Sequence, residues 1–112
     1  QCALMQPAAD AMAEALAIVT VNKPVVPVIA NVLAAPISDP DEIKKRLVEQ
    51  VTGTVRWRES VATMAASGIT DFYEIGAGKV LAGLVKRTAT TANAASLGVP
   101  ADIDAALAAL TA

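Results

Sequence analysis

The sequence predicts an α/β fold. Three observations carry this: helical three-to-four residue spacing alternates with short β-branched runs, glycine or proline punctuates the joins, and the apolar side chains are mostly aliphatic. Of the 112 residues 54% are hydrophobic but only 3% aromatic, so Ala, Val, Leu and Ile supply the core material. At this length two independent cores are not expected, and the chain reads as one small domain or a piece of a larger one.

The elements follow in order. Pro7 stands where the first turn of a helix tolerates a missing N–H, and Met12, Leu16 and Val19 continue a helical spacing that Asn22-Lys23-Pro24 ends. Val25 to Val32 is β-branched and short, a buried strand by composition, with Pro27 placing its start at an edge. Pro36 to Pro40 reads as a connector in which Ser38 or Asp39 can cap the next helix. In that helix Ile43, Leu47 and Val51 recur every four residues, and Gly53 breaks the pattern. A further helix from about Val55 to Ala66 puts Trp57, Val61 and Met64 on one side, and Ser67-Gly68 stops it. Ile69 to Ile75 reads as a strand anchored by Phe72. Gly76-Ala77-Gly78 then turns into a helix from Lys79 to about Arg87. Ala92 to Leu97 reads as a last short strand and Asp102 to Leu110 as a closing Ala-rich helix, with Pro100 and Asp102 in its first turn.

Composition excludes several classes. High hydrophobicity with a net charge of −2 argues against disorder and leaves no electrostatic footprint for nucleic acid or an anionic membrane. No apolar run approaches the roughly 20 residues of a membrane helix. Cys2 is the only cysteine, which excludes a disulfide scaffold and fits a reducing cytoplasm. There is no histidine.

Several constellations carry chemistry only weakly. Gly76-Ala77-Gly78-Lys79 has the look of an anion-binding turn, but a P-loop needs four residues between its glycines and a Ser or Thr after the Lys, where Val80 stands; a plain strand-to-helix turn is the simpler reading. Cys2 has no histidine to activate it. Asp71 and Glu74 fall on opposite faces of their strand and make poor acid–base partners. No carboxylate pair joins a His or second Cys at metal-ligand spacing. Arg56 and Arg58 around Trp57 read as a solvated face beside a core aromatic rather than a phosphate clamp.

Four stretches point further. They are Cys2-Ala3-Leu4-Met5-Gln6-Pro7-Ala8-Ala9-Asp10, then Pro27-Val28-Ile29-Ala30-Asn31-Val32, then Leu47-Val48-Glu49-Gln50-Val51 running on to Val55-Arg56-Trp57, and last Tyr73 to Leu81 around Glu74-Ile75-Gly76-Ala77-Gly78-Lys79-Val80-Leu81. In order and spacing they resemble the end of the malonyl-CoA:acyl-carrier-protein transacylases of bacterial fatty acid synthesis. That resemblance implies the C-terminal part of a large hydrolase-like α/β subdomain, with short, mostly parallel strands flanked by helices, here incomplete over residues 1–112. It also implies a cytoplasmic enzyme in which a serine of a G-H-S-x-G elbow is acylated by malonyl-CoA and passes malonyl to the phosphopantetheine thiol of acyl carrier protein. No metal or cofactor is implied; malonyl-CoA is a substrate. The expected partners are acyl carrier protein, malonyl-CoA and the N-terminal portion of the same enzyme.

Two site residues follow from the resemblance. Gln1 occupies the slot of the family's catalytic histidine, and a carboxamide cannot take a proton near neutral pH. A disabled variant, a naturally inactive form and the end of a fragment all fit Gln1. Gln50 matches the residue whose carbonyl accepts a hydrogen bond from the histidine ring, a role like that of the orienting acid of a Ser-His-Asp triad. Modular polyketide acyltransferases commonly have His there, so Gln50 favours the discrete fatty-acid enzyme. Ala77 stands where the family usually has Pro. Without the serine elbow, the chain is expected to be inactive alone. A non-catalytic interaction or scaffold module descended from such an enzyme is the alternative.

Overall fold

A computed structural model describes residues 3–111. It forms two compact units, Gln1–Thr63 and Met64–Ala112.

In the first unit a 3-10 turn, Ala3–Met5, leads into helix α1, Gln6–Ala17. Pro7 sits in its first turn, as its missing N–H allows. The helix ends at Ala17, five residues before Asn22, and of its side chains only Ala9 is buried. Met12 and Val19 are exposed and Leu16 is half-buried, and Val19 lies beyond the helix, so the Met12–Leu16–Val19 spacing does not mark a buried face; the small Ala9 makes the close contact. The expected strand over residues 25–32 contracts to β1, Val28–Ala30, and Val25 is fully exposed at 102%. Its partner is β2, Ala35–Ile37, antiparallel in the register Val28↔Ile37, Ile29↔Pro36 and Ala30↔Ala35. The sequence reading had Pro36 begin a connector. It lies in a strand because β2 has a neighbour on one side only, where a residue without an N–H is tolerated.

The hairpin turn, residues 31–34, is a tight one. The Ala30 carbonyl accepts from the N–H groups of Leu33 (3.1 Å) and Ala34 (2.8 Å), and Ala34 is held at φ 53°, an unusual conformation for a residue with a Cβ. Helix α2, Pro40–Thr52, packs on α1 and begins on Asp39, whose Oδ2 accepts from the Glu42 N–H at 2.9 Å. It ends at Gly53, as expected. A Cβ there would lie 2.9 Å from the Glu49 carbonyl oxygen, so close approach of backbone is what requires glycine. Helix α3, Trp57–Ala66, buries Ser60 and Val61. Trp57 is 40% exposed and is not the core aromatic the sequence suggested.

The second unit is a βαβ unit followed by a helix. Strand β3, Asp71–Ile75, runs parallel to β4, Asn93–Leu97, in the register Asp71↔Asn93 through Ile75↔Leu97. Helix α4, Val80–Thr88, makes the crossover that parallel strands require, and α5, Pro100–Thr111, closes the chain. These elements match expectation within a residue or two. Gly76 (φ 135°) and Gly78 (φ 96°) take conformations that side chains resist, which is how the strand turns into α4 within four residues. The buried side chains are small: Ala82, Val85, Ala89 and Ala106.

Candidate functional site

Gln50 lies in the last turn of α2, half-buried. Its Oε1 accepts a hydrogen bond of 3.1 Å from Nδ2 of Asn31, the first residue after β1 and 19 positions away. The backbone beneath this pair is tied down. The Asn31 carbonyl accepts from the Arg56 N–H at 2.9 Å, the Leu33 carbonyl from Arg56 Nη1 at 3.2 Å, and the Ala34 carbonyl from Thr63 Oγ1 at 3.1 Å. Three of the turn's four carbonyls are therefore clamped by Arg56, which immediately precedes α3, and Thr63 within it. Gln50 itself carries a second acceptor. The last carbonyls of a helix have no intrahelical donor; the Gly53 N–H takes the Glu49 oxygen at 2.8 Å, leaving the Gln50 main-chain oxygen at the helix end.

A small hollow of about 100 Å³ borders the pair, lined by Ile29, Asn31, Ile43, Arg46, Leu47 and Gln50. Arg46 bonds Glu49 Oε2 at 2.8 Å and reaches Glu42 Oε2 at 3.5 Å. These partners, Glu49 foremost, hold the guanidinium's pKa above its ordinary value. Arg56 is likewise raised, through its hydrogen bond to Glu59, whose carboxyl is lowered by the same bond. Arg56 is thus a structural clasp between Leu33 and Glu59 rather than part of a phosphate clamp. Gln1 and Cys2 lie outside the described residues.

The turn at Gly76-Ala77-Gly78-Lys79 borders a wider hollow of about 810 Å³, between Lys79 and Lys86 on one side and Ser96, Gly98 and Asp102 on the other. Two N–H groups of the first turn of α4 already have an internal anion. Lys79, the residue before α4, offers no side-chain cap; the Glu74 carboxylate replaces it, accepting from the N–H groups of Leu81 (3.3 Å) and Ala82 (3.0 Å). Asp102 Oδ2 likewise accepts from Gly98 N (3.0 Å) and Val99 N (3.2 Å). Gly76 and Gly78, both at positive φ, give the turn the strand-to-helix geometry of the plainer sequence reading. Asp71 bonds the Asn93 side chain at 3.0 Å and has no part in the Glu74 contacts.

Sequence reasoning singled out Gln50 and did not name Asn31 as its hydrogen-bond partner. The signal was present, a polar amide at the end of a β-branched strand where apolar residues are preferred, yet nothing local names the residue it meets.

No family model matches the chain. The malonyl CoA-acyl carrier protein transacylase of Escherichia coli strain K12 is 47% identical over 106 residues, covering 95% of this chain and 34% of that protein. The Bacillus subtilis transacylase of the same name is 39% identical over 104 residues, 93% of this chain and 33% of its own length. Among solved structures, an acyl-carrier-protein-S-malonyltransferase from Bartonella henselae superposes with a TM-score of 0.89 at 49% identity, over 98% of this chain and 35% of that one. A malonyl-transacylase solved in complex with its type II polyketide acyl-carrier protein gives 0.83 at 39% identity, over 95% and 34%. The chain thus spans about a third of the length of the relatives it matches.

Proposed function

The chain belongs to the malonyl CoA-acyl carrier protein transacylase family, as a C-terminal portion of such a protein, and from that premise we propose that it carries the base-positioning part of a malonyl transfer site. In the complete reaction a serine oxygen attacks the thioester carbonyl of malonyl-CoA. Its proton passes to a base and on to the departing CoA thiol, and the phosphopantetheine thiol of acyl carrier protein then takes malonyl from the serine. The contribution of residues 1–112 is a carbonyl of Gln50 that accepts the ring N–H of that base and so fixes its tautomer, leaving the other ring nitrogen free to accept the serine proton. The observation that carries the reading is the 47% identity over 95% of the chain.

A neutral acceptor suits this role. A carbonyl orients the ring without adding a buried negative charge beside the malonyl carboxylate. The partners of the proposal are malonyl-CoA, acyl carrier protein and a serine-bearing N-terminal portion, and the pathway is fatty acid synthesis.

The test is malonyl transfer from malonyl-CoA to acyl carrier protein, run on two preparations. Residues 1–112 alone, which contain no histidine, should show none. The same residues with Gln1→His, joined behind the first two-thirds of the Escherichia coli relative, should transfer malonyl. Turnover by the chain alone refutes the division of labour. An inactive but folded joined protein that still binds acyl carrier protein supports a scaffold instead.

A further inference from the structure

We infer that Asn31 is a positioning residue for the proposed transfer, holding Gln50 through the Asn31–Gln50 amide pair; this rests on the functional reading above. The last turn of α2 is poorly secured from within. It ends on Gly53 in an extended conformation (φ −90°, ψ 175°), without the left-handed cap that commonly ties down terminal carbonyls, and only the Gly53 N–H reaches back, to Glu49. A helix end of that kind frays unless something outside it holds on. Asn31 does so from a fixed point. It follows β1 directly, its own carbonyl is bonded to the Arg56 N–H, and the two carbonyls at 33 and 34 are bonded to Arg56 and Thr63. From that clamped turn its Nδ2 reaches the Gln50 Oε1 at 3.1 Å, which uses the side-chain carbonyl and leaves the main-chain one for a further donor.

Stability alone does not call for an amide pair here. The neighbouring hollow is lined by Ile29, Ile43 and Leu47, and a half-buried neutral hydrogen bond contributes little net stability that an apolar pair could not match. What the pair adds is direction. It fixes where the last-turn carbonyl of Gln50 points, and a misplacement on the order of 1 Å at a catalytic group is costly in rate.

The experiment uses the joined protein with Gln1→His as parent and adds Asn31→Ala, Gln50→Met and the double variant, with Asp102→Ala as a control that frees the Gly98 and Val99 N–H groups and has no bond to Asn31, Gln50 or the turn between them. Each single variant should lower kcat about 10- to 100-fold with KM for malonyl-CoA little changed. The double variant should be no worse than either single, because Asn31 acts through Gln50. Asp102→Ala should lower Tm and leave kcat alone. An active, folded Asn31→Ala with parental kcat, or losses that add in the double variant, overturns the inference while leaving the functional reading standing. If Asn31→Ala does not fold, Gln50→Met must still show the kcat loss, and parental kcat there overturns the inference equally. A folded parent without malonyl transfer overturns the functional reading, and this inference with it.

Discussion

The Glu74 carboxylate sits on β3 and closes the N-terminus of α4, bonding the second and third N–H groups of the helix that Lys79 leaves uncapped. A charge-assisted cap of this kind stabilises by about 1–2 kcal/mol. Glu74→Ala should therefore speed amide hydrogen exchange at Leu81 and Ala82 about tenfold or more, while exchange in α2 stays unchanged. Equal acceleration everywhere would assign Glu74 a global role instead. The same contact explains a reading the sequence left open. A glycine-flanked lysine after a strand suggests an anion site, but the anion is internal, and only a three-dimensional neighbour seven residues back reveals it. Glu59 gives a pH prediction. Its hydrogen bond to Arg56 lowers its pKa, so the pair's contribution is present above the ordinary glutamate range and lost as pH falls through the lowered value. Both groups are exposed, so the effect is small. Glu59→Gln should flatten the acid side of the joined protein's stability profile; an unchanged slope would show that the pair is worthless in solution.

Helix α2 is the element on which the proposed site depends, and both its ends were legible. Asp39 was one of two cap candidates, and the structure selects it over Ser38 because its carboxylate reaches the Glu42 N–H. Asp39→Ala should cost about 1 kcal/mol, measurable as a fall in denaturant midpoint. Gly53 was legible as a break but not as a tight contact, since the 2.9 Å approach to the Glu49 oxygen comes from the path taken after the helix. Gly53→Ala should displace the last turn, and with it Gln50, so its loss in kcat should exceed what its loss in Tm accounts for. The β1–β2 hairpin was half missed. A strand signal at 28–30 was read too long because Val25 and Val26 share its composition, and its partner was passed over because Pro36 argues against a strand in general but not against a strand with one open side.

Across the whole molecule the buried side chains are few and small, chiefly alanines with Ile37, Val61 and Val85, while Leu4, Ile18, Ile75 and Val80 stand at 89%, 89%, 81% and 78% exposure. Among the described residues both sheets have two strands, so each strand has one edge without a strand partner. Such surfaces associate unless covered. Residues 1–112 alone should sediment as a concentration-dependent mixture rather than as a monomer with a sharp reversible transition, and the joined protein should be monodisperse. The sequence made the family readable because it rests on residue order; it did not make the depth of burial readable, because composition is blind to which apolar faces meet a partner. The most direct measurement is the malonyl transfer rate of the joined protein with Gln1 against Gln1→His. If residue 1 stands where the base must be and Gln50 serves it, the glutamine form is slower by about 10² to 10⁴. Equal rates would contradict the account.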